Sequence, residues 1–392
     1  MELDGYAFPR FSAQEMARRW ALVGDALEAG GHDALVVYGA GRFHLDIYWI
    51  SDWPGGREAY ALLPSRSSGL GEPALFVQFF NHVPLARRMA ALEDVRWAGP
   101  TSIEALVEDL KRRGLGAGRA RQVALAGKVP FQHYEALRAA FPDVRFVDFT
   151  RELMLLRTVK SEEEIARFRV AAQLTDRSLE ALAGALRPGV LEWQLAAVLE
   201  AVYLEAGGYT GIHYLASMPM DRPNAYVPRQ YLADRKIGEG DVVITEISGS
   251  YWGYTGQIHR TFSVRRPPNE AWRRLHEVAV EAYRRIESVL RDGATAEDVI
   301  AAADVIAEAG YTVCDDLFHG VDQLPPVLRT RQTQHQPYPR GFVFRENMLV
   351  TIQPNVMTPD GRMGLQFGET VRITKDGVER MHAYPRQWMV CG

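Results

Sequence analysis

Two stretches decide the fold: Gly240-Asp241-Val242-Val243-Ile244-Thr245-Glu246 and Gly253-Tyr254-Thr255-Gly256-Gln257-Ile258-His259-Arg260-Thr261-Phe262. β-Branched and aromatic residues punctuated by glycine predict two strands joined by a turn, at 242–248 and 254–264. Side chains alternate across a strand, so Gln257 and His259 share one face, and Ile258 and Arg260 take the other. Glu246 falls on the face of Val242 and Ile244. An ionisable group in such apolar company needs a specific partner. Further strands are expected at 348–354 and 366–374. There Gln353 goes with Thr351 and Leu349, while Gln366, Gly368 and Thr370 share a face from which Glu369 turns away.

Helices flank these strands. Ser161-Glu162-Glu163-Glu164 has the pattern of a capping box, and Ile165, Phe168, Ala172, Thr175, Leu179 and Leu182 then recur at helical spacing. Another helix starts near Leu191 and stops at Gly207-Gly208. A third runs from about Asn269 to Arg291, and a fourth follows Thr295. Strands mixed with helices in this order predict α+β architecture, an antiparallel sheet covered by helices. The first third reads as α/β. Ser12 caps a helix with Met16, Trp20, Val23 and Leu27 on one face, and Ala34-Leu35-Val36-Val37-Tyr38 is a buried strand. More strands are expected at 58–63, 74–80, 123–126 and 144–147, with helices at 102–113 and 133–140. The division falls at residues 1–155 and 156–392.

Composition narrows the function classes. The 392 residues carry a net charge of −4 and are 47% hydrophobic and 24% charged. Nothing there suggests nucleic acid or a membrane surface as a partner. Met1-Glu2-Leu3-Asp4 lacks the features of a signal peptide, and no apolar run reaches the roughly 20 residues of a membrane span. Cys314 and Cys391 give no disulfide framework, which suits a cytoplasmic protein. Gly69-Leu70-Gly71 does not fit a phosphate-binding loop followed by a helix.

Three more motifs follow: His319-Gly320-Val321, Thr351-Ile352-Gln353-Pro354 and Gly364-Leu365-Gln366-Phe367-Gly368-Glu369-Thr370-Val371. In order and spacing, the set resembles the pita-bread family of methionine aminopeptidase, prolidase, aminopeptidase P and creatinase. The resemblance covers nearly the whole chain. It implies an α/β creatinase-type N-terminal domain and an α+β pita-bread catalytic domain, in a homodimer. In metal-dependent branches of that family two Asp, one His and two Glu hold a pair of divalent cations. Here those positions read Glu246, Gln257, His319, Gln353 and Gly368. Two divalent cations bring four positive charges, and this set answers with one carboxylate and one imidazole. The expectation is that no metal cofactor is retained.

Creatinase, a metal-free branch, hydrolyses a C–N bond using a histidine. The segment from Gln353 to Gly361 resembles it in length and texture. The position of its proton-transfer histidine falls near Arg229, however, and two carboxylates of its guanidinium pocket are replaced at His259 and Gln353. Creatine is therefore a poor fit, and Arg222 or Arg229 would suit a carboxylate-bearing substrate instead. The expected activity is metal-independent hydrolysis of an amide or amidine bond in a small molecule or short peptide. His319, His259 and Glu246 are the catalytic candidates, since imidazole titrates near neutrality. Gln257, Gln353, Gln366, His335, His213 and Arg229 are the substrate-binding candidates. His213 is placed in a loop that reaches the pocket. His335-Gln336-Pro337 resembles a His-Glu-x-Pro segment of prolidase-like members. Trp53 is a candidate wall residue for a partner's pocket, beside the plainer reading that Tyr48, Trp49 and Trp53 are core. Plainer readings exist for the others too: His259 as a hydrogen-bonded sheet histidine, Glu246 as half of a buried ion pair with Arg260 or a nearby Arg, the glutamines as satisfied amides. Two rival functions stay open, an Xaa-Pro peptidase retaining one cation and a non-catalytic binder of peptides or metabolites.

Overall fold

A computed structural model describes residues 2–3, 6–117, 121–333 and 341–392. The candidate His335 lies outside them. The chain forms two compact units, Met1–Arg157 and Thr158–Gly392.

In the first unit, Ser12 caps helix α1 (Ala13–Gly30), its side chain accepting from the Glu15 amide. Six strands follow: β1 (Ala34–Gly39), β2 (Ala59–Pro64), β3 (Ala74–Val77), β4 (Asp94–Trp97), β5 (Arg121–Ala126) and β6 (Val144–Asp148). They form one sheet in the order β4-β3-β2-β1-β5-β6. β1 runs parallel to β5 and antiparallel to β2. Central β1 is an unbroken apolar run because both of its faces are covered. Tyr48, Trp49 and Trp53 are all buried in this unit, in keeping with the plainer reading of them.

The second unit holds the site. Its sheet is built from β7 (Tyr209–Pro219), β8 (Asp241–Tyr251), β9 (Tyr254–Val264), β10 (Phe318–Gly320), β11 (Val327–Leu328), β12 (Leu349–Ile352) and β13 (Gly368–Ile373). The order is β11-β10-β12-β13-β9-β8-β7, and every pairing along it is antiparallel. Helices α2 (Glu162–Ala185) and α3 (Glu192–Glu205) back one face, and α4 (Glu270–Val289) packs on the other. The capping box at Ser161 and Glu164 forms as expected and starts α2.

Alternation decides which face each residue serves. Val243, Ile247, Ile258 and Phe262 join Leu179 and Leu182 of α2 in one core, while Val242 and Ile244 join Trp272, Leu275 and Tyr283 of α4 in another. Contact with α2 is close because Gly256 has no side chain: a Cβ there would sit 2.5 Å from the Ala172 backbone. The Thr175 hydroxyl donates to the Gly256 carbonyl (2.9 Å) and accepts from the Gly249 amide (2.9 Å), pinning the β8–β9 hairpin from behind. Among the described residues, no helix is long and apolar enough to cross a membrane.

Candidate active site

Strand register assembles the site. Glu246 on β8 pairs with Tyr214 on β7 and His259 on β9, and His259 pairs in turn with Gly368 on β13. One row further, Ser248 pairs with Gln257, and Thr370 pairs with Thr351, which pairs with His319 on β10. Paired residues put their side chains on the same face. The sequence thus delivers a polar stripe across the sheet from motifs more than a hundred residues apart.

A cavity of about 490 Å³ opens over this stripe. Glu246, Ser248, Thr255, Gln257, His319 and Gln353 line it, and Ile212, Tyr214, Val227 and Pro228 supply apolar wall. It is also lined by Cys314, Asp315, Asp316 and Asp322, which the sequence reading passed over. The available signal was the acidic pair directly ahead of His319. The five family positions supply one carboxylate, Glu246; three aspartates outside them bring the carboxylates of the lining to four, and among the described residues no Lys or Arg lines the cavity.

Polar groups in the cavity engage one another. Gln257 Nε2 donates to Glu246 Oε1 (2.8 Å). Gln353 Nε2 donates to the Asp316 carbonyl (3.1 Å), which turns its Oε1 toward His319 Nε2 (3.1 Å). His319 Nδ1 lies 2.8 Å from the Gly320 carbonyl. Both ring nitrogens of His319 therefore face oxygens. Glu246 is 8% exposed. Burial, reinforced by Asp315 and Asp316 and opposed by the Gln257 amide, pushes its carboxyl up to about 7. Burial and then Asp315 also raise Asp316, against Arg329 (3.2 Å), which lowers it.

The remaining candidates lie outside the cavity lining. His259 is on the cavity face of the sheet but fully buried, with Nδ1 2.9 Å from Gln366 Oε1. Burial pushes it down to about 3, so the ring is neutral, and its Nε2 has no hydrogen-bond partner among the described residues. Gln366 is equally buried, holding His259 and, through its backbone, Thr261. His213 sits on strand β7, where a loop was expected, and its ring contacts Tyr203 of α3. Its neighbours Ile212 and Tyr214 line the cavity instead. Arg229 gives its guanidinium to the buried carboxylate of Glu192, so it is not a free anion receptor. The plainer reading of Glu246 as the ion-pair partner of Arg260 fails: Arg260 pairs with Glu369 on the opposite face.

The position of Gly368 is sterically closed. A Cβ there would lie 2.2 Å from the Ile352 carbonyl oxygen and 2.7 Å from Gln353 Cα. Glu369 points away, as alternation required, and accepts from Arg260, Arg380 and Arg386. Among the described residues, no three His, Cys, Asp or Glu side chains are placed to hold a metal ion.

Residues 166–375 match metallopeptidase family M24, and residues 19–159 match the creatinase/prolidase N-terminal domain. The chain belongs to family M24. This M24 chain is 28% identical over 389 residues to a probable dipeptidase PepE of Mycobacterium tuberculosis, covering 97% of this chain and 98% of that one. It is 26% identical over 274 residues to the Xaa-Pro dipeptidase of Pyrococcus horikoshii, covering 68% and 74%. Among solved structures it resembles the Xaa-Pro dipeptidase from Bacillus anthracis, with a TM-score of 0.81 at 20% identity over 96% of this chain and 99% of that one. The dipeptidase PepE from Mycobacterium ulcerans gives 0.77 at 25% identity over 98% and 100%. The expected pairing of a creatinase-type N-terminal domain with a pita-bread catalytic domain holds.

Proposed function

We propose that this M24 chain hydrolyses a C–N bond in a dipeptide-sized substrate with its own side chains, Glu246 acting as the proton-transfer group. The observation that carries this reading is Glu246 itself: a buried carboxyl on the cavity wall, held near neutrality, with Gln257 as its single hydrogen-bond partner among the described residues. A base poised near the working pH takes a proton from water and returns it to the leaving nitrogen at little cost. The ionised carboxylate removes a proton from a water seated against the scissile carbon, and the acid so formed protonates the departing amine. Gln257 orients the carboxyl. This gives the base role to Glu246 where the sequence favoured a histidine, since His319 has both nitrogens on acceptors and His259 is buried outside the lining.

The name of the family, metallopeptidase M24, raises the question of a metal. The donor set present does not fit a pair of divalent cations. Two of the five positions are amides bonded to the neighbouring carboxyl and imidazole, and the fifth has no room for a side chain. No step is therefore routed through a metal. A second reading, a dipeptidase holding one cation, is favoured by the acidic lining of Asp315, Asp316 and Asp322. A panel of dipeptides, including Xaa-Pro, and small amides separates the two when assayed in excess chelator and again with added manganese, cobalt or zinc. The proposal expects chelator to leave turnover within about twofold and Glu246→Gln to lower it roughly 10²–10⁴-fold. Turnover that appears only on adding a stoichiometric ion overturns it.

A further inference from the structure

A second cavity, of about 520 Å³, lies along α4 and shares no lining residue with the first. His276, Val280 and Tyr283 of α4 form one wall, because residues three and four apart fall on one side of a helix. Phe367 and Arg386 form another. The Phe367 ring stands at right angles to His276 (5.4 Å) and to Tyr283 (5.6 Å). Three polar side chains of these walls keep an unused donor. Tyr283 is 1% exposed; its hydroxyl accepts from Arg386 Nη2 (2.9 Å), and its own hydrogen has no acceptor among the described residues. Arg386 has five N–H groups: one goes to Glu369, one to Tyr283 and two to Glu287, so one on Nη1 is left over. His276 makes no hydrogen bond with the described residues, and burial, reinforced by the charge of Arg260, pushes it down to about 4. The neutral ring keeps one N–H to give.

Charge is an independent indication. Arg260, Arg380 and Arg386 surround Glu369, and Arg386 also meets Glu287, so three guanidiniums against two carboxylates leave one positive charge in excess. At the mouth, Glu277 and Arg284 offset each other, and Glu281 is taken by Arg285 (2.8 Å). Surplus positive charge beside unused donors is complementary to an anion, and the ring walls with Val280 are complementary to an apolar body. We infer that this cavity is a second binding site, and that it takes a small carboxylate with a flat apolar body, an aryl acid, whose oxygens accept from Tyr283, His276 and Arg386. The site is separate from the proposed hydrolytic centre, and the inference stands without that reading.

Calorimetry on the full chain tests it with phenylacetate, its neutral counterpart phenylacetamide, and inorganic phosphate. Phenylacetate is expected to bind at a single site, about tenfold or more tightly than phenylacetamide. Val280→Trp, which fills the cavity from a partly exposed helix position, should abolish that binding. Tyr283→Phe and His276→Phe keep a ring and lose the donor, and each should weaken phenylacetate about three- to tenfold while leaving phenylacetamide unchanged. Glu246→Gln, in the first cavity, should keep the phenylacetate affinity within about twofold, since it removes none of these donors. Thermal melts establish that each variant is folded. Equal affinity for acid and amide, or no binding of phenylacetate at millimolar concentration, overturns the inference. So does tighter binding of inorganic phosphate than of phenylacetate. Phenylacetate binding that survives Val280→Trp, or that is lost in Glu246→Gln, places the acid elsewhere and overturns it too.

Discussion

Glu246 and Glu369 are buried glutamates of the same sheet, and the fold treats them in opposite ways. Glu369 lies on the face of β13 turned away from the cavity, wholly buried, where Arg260, Arg380 and Arg386 converge on it. Burial alone would raise its carboxyl, but Arg260 and the other two guanidiniums hold it down at about 2. Glu246 faces the cavity with a single amide donor and two aspartates nearby, and it is pushed up to about 7. Residue type is the same, and both side chains are buried. What differs is whether the neighbours neutralise the charge. A fully paired carboxylate is structural scaffolding, whereas an underpaired one facing a cavity is poised to exchange a proton.

The comparison can be broken in four places, in descending order of expected effect. Replacing Glu246 by Gln should remove turnover by roughly 10²–10⁴-fold without unfolding the protein, measured as kcat on the best substrate beside a thermal melt. Replacing Glu369 by Gln should do the reverse. It leaves three guanidiniums without their shared anion, and denaturant titration should show a loss of about 3–5 kcal/mol. Equal losses of stability in both variants would erase the distinction.

The third test is pH. Glu369 has its carboxyl lowered, so its stabilisation is present above the unfolded value near 4.5 and is lost as pH falls through about 2. Glu246 has its carboxyl raised, so its contribution is present below 4.5 and is lost as pH rises through about 7. At pH 8 the Glu246→Gln variant should therefore be the more stable protein, by on the order of 3 kcal/mol, with the gap closing toward pH 4.5. In chelator, kcat/KM of the native protein should rise with pH and level off above an apparent value near 7. A flat profile between pH 5 and 8 would remove Glu246 from the base role. Fourth and smallest, Gly368→Glu should not create a metal centre. The new Cβ meets the Ile352 carbonyl at 2.2 Å, so the variant should lose about 1–3 kcal/mol and hold no stoichiometric ion by metal analysis.

Much of the frame was legible in the chain because local rules dictate it. The strand expected at 254–264 is Tyr254–Val264, and alternation alone correctly turned Glu369 away from Gly368's neighbours in the cavity. Ser12, Ser161 and Asn269 start helices because each hydroxyl or amide oxygen accepts from an orphan backbone amide three residues on. Strand Tyr209–Pro219 was missed. Gly207, Gly208 and Gly211 read as a loop, and this edge strand owes its conformation to pairing with β8 more than to its own residues. That error also put His213 into the pocket and left Ile212 and Tyr214 out of it.

By itself the sequence determined most of the elements and the faces on which their side chains fall, because period and residue type are local properties. Only the tertiary structure decided the charge of the cavity and the role of each acid within it. Asp315, Asp316 and Asp322 meet Glu246 through contacts between segments about seventy residues apart. Their titration depends on desolvation and on near neighbours in space, and neither is written in the order of the chain.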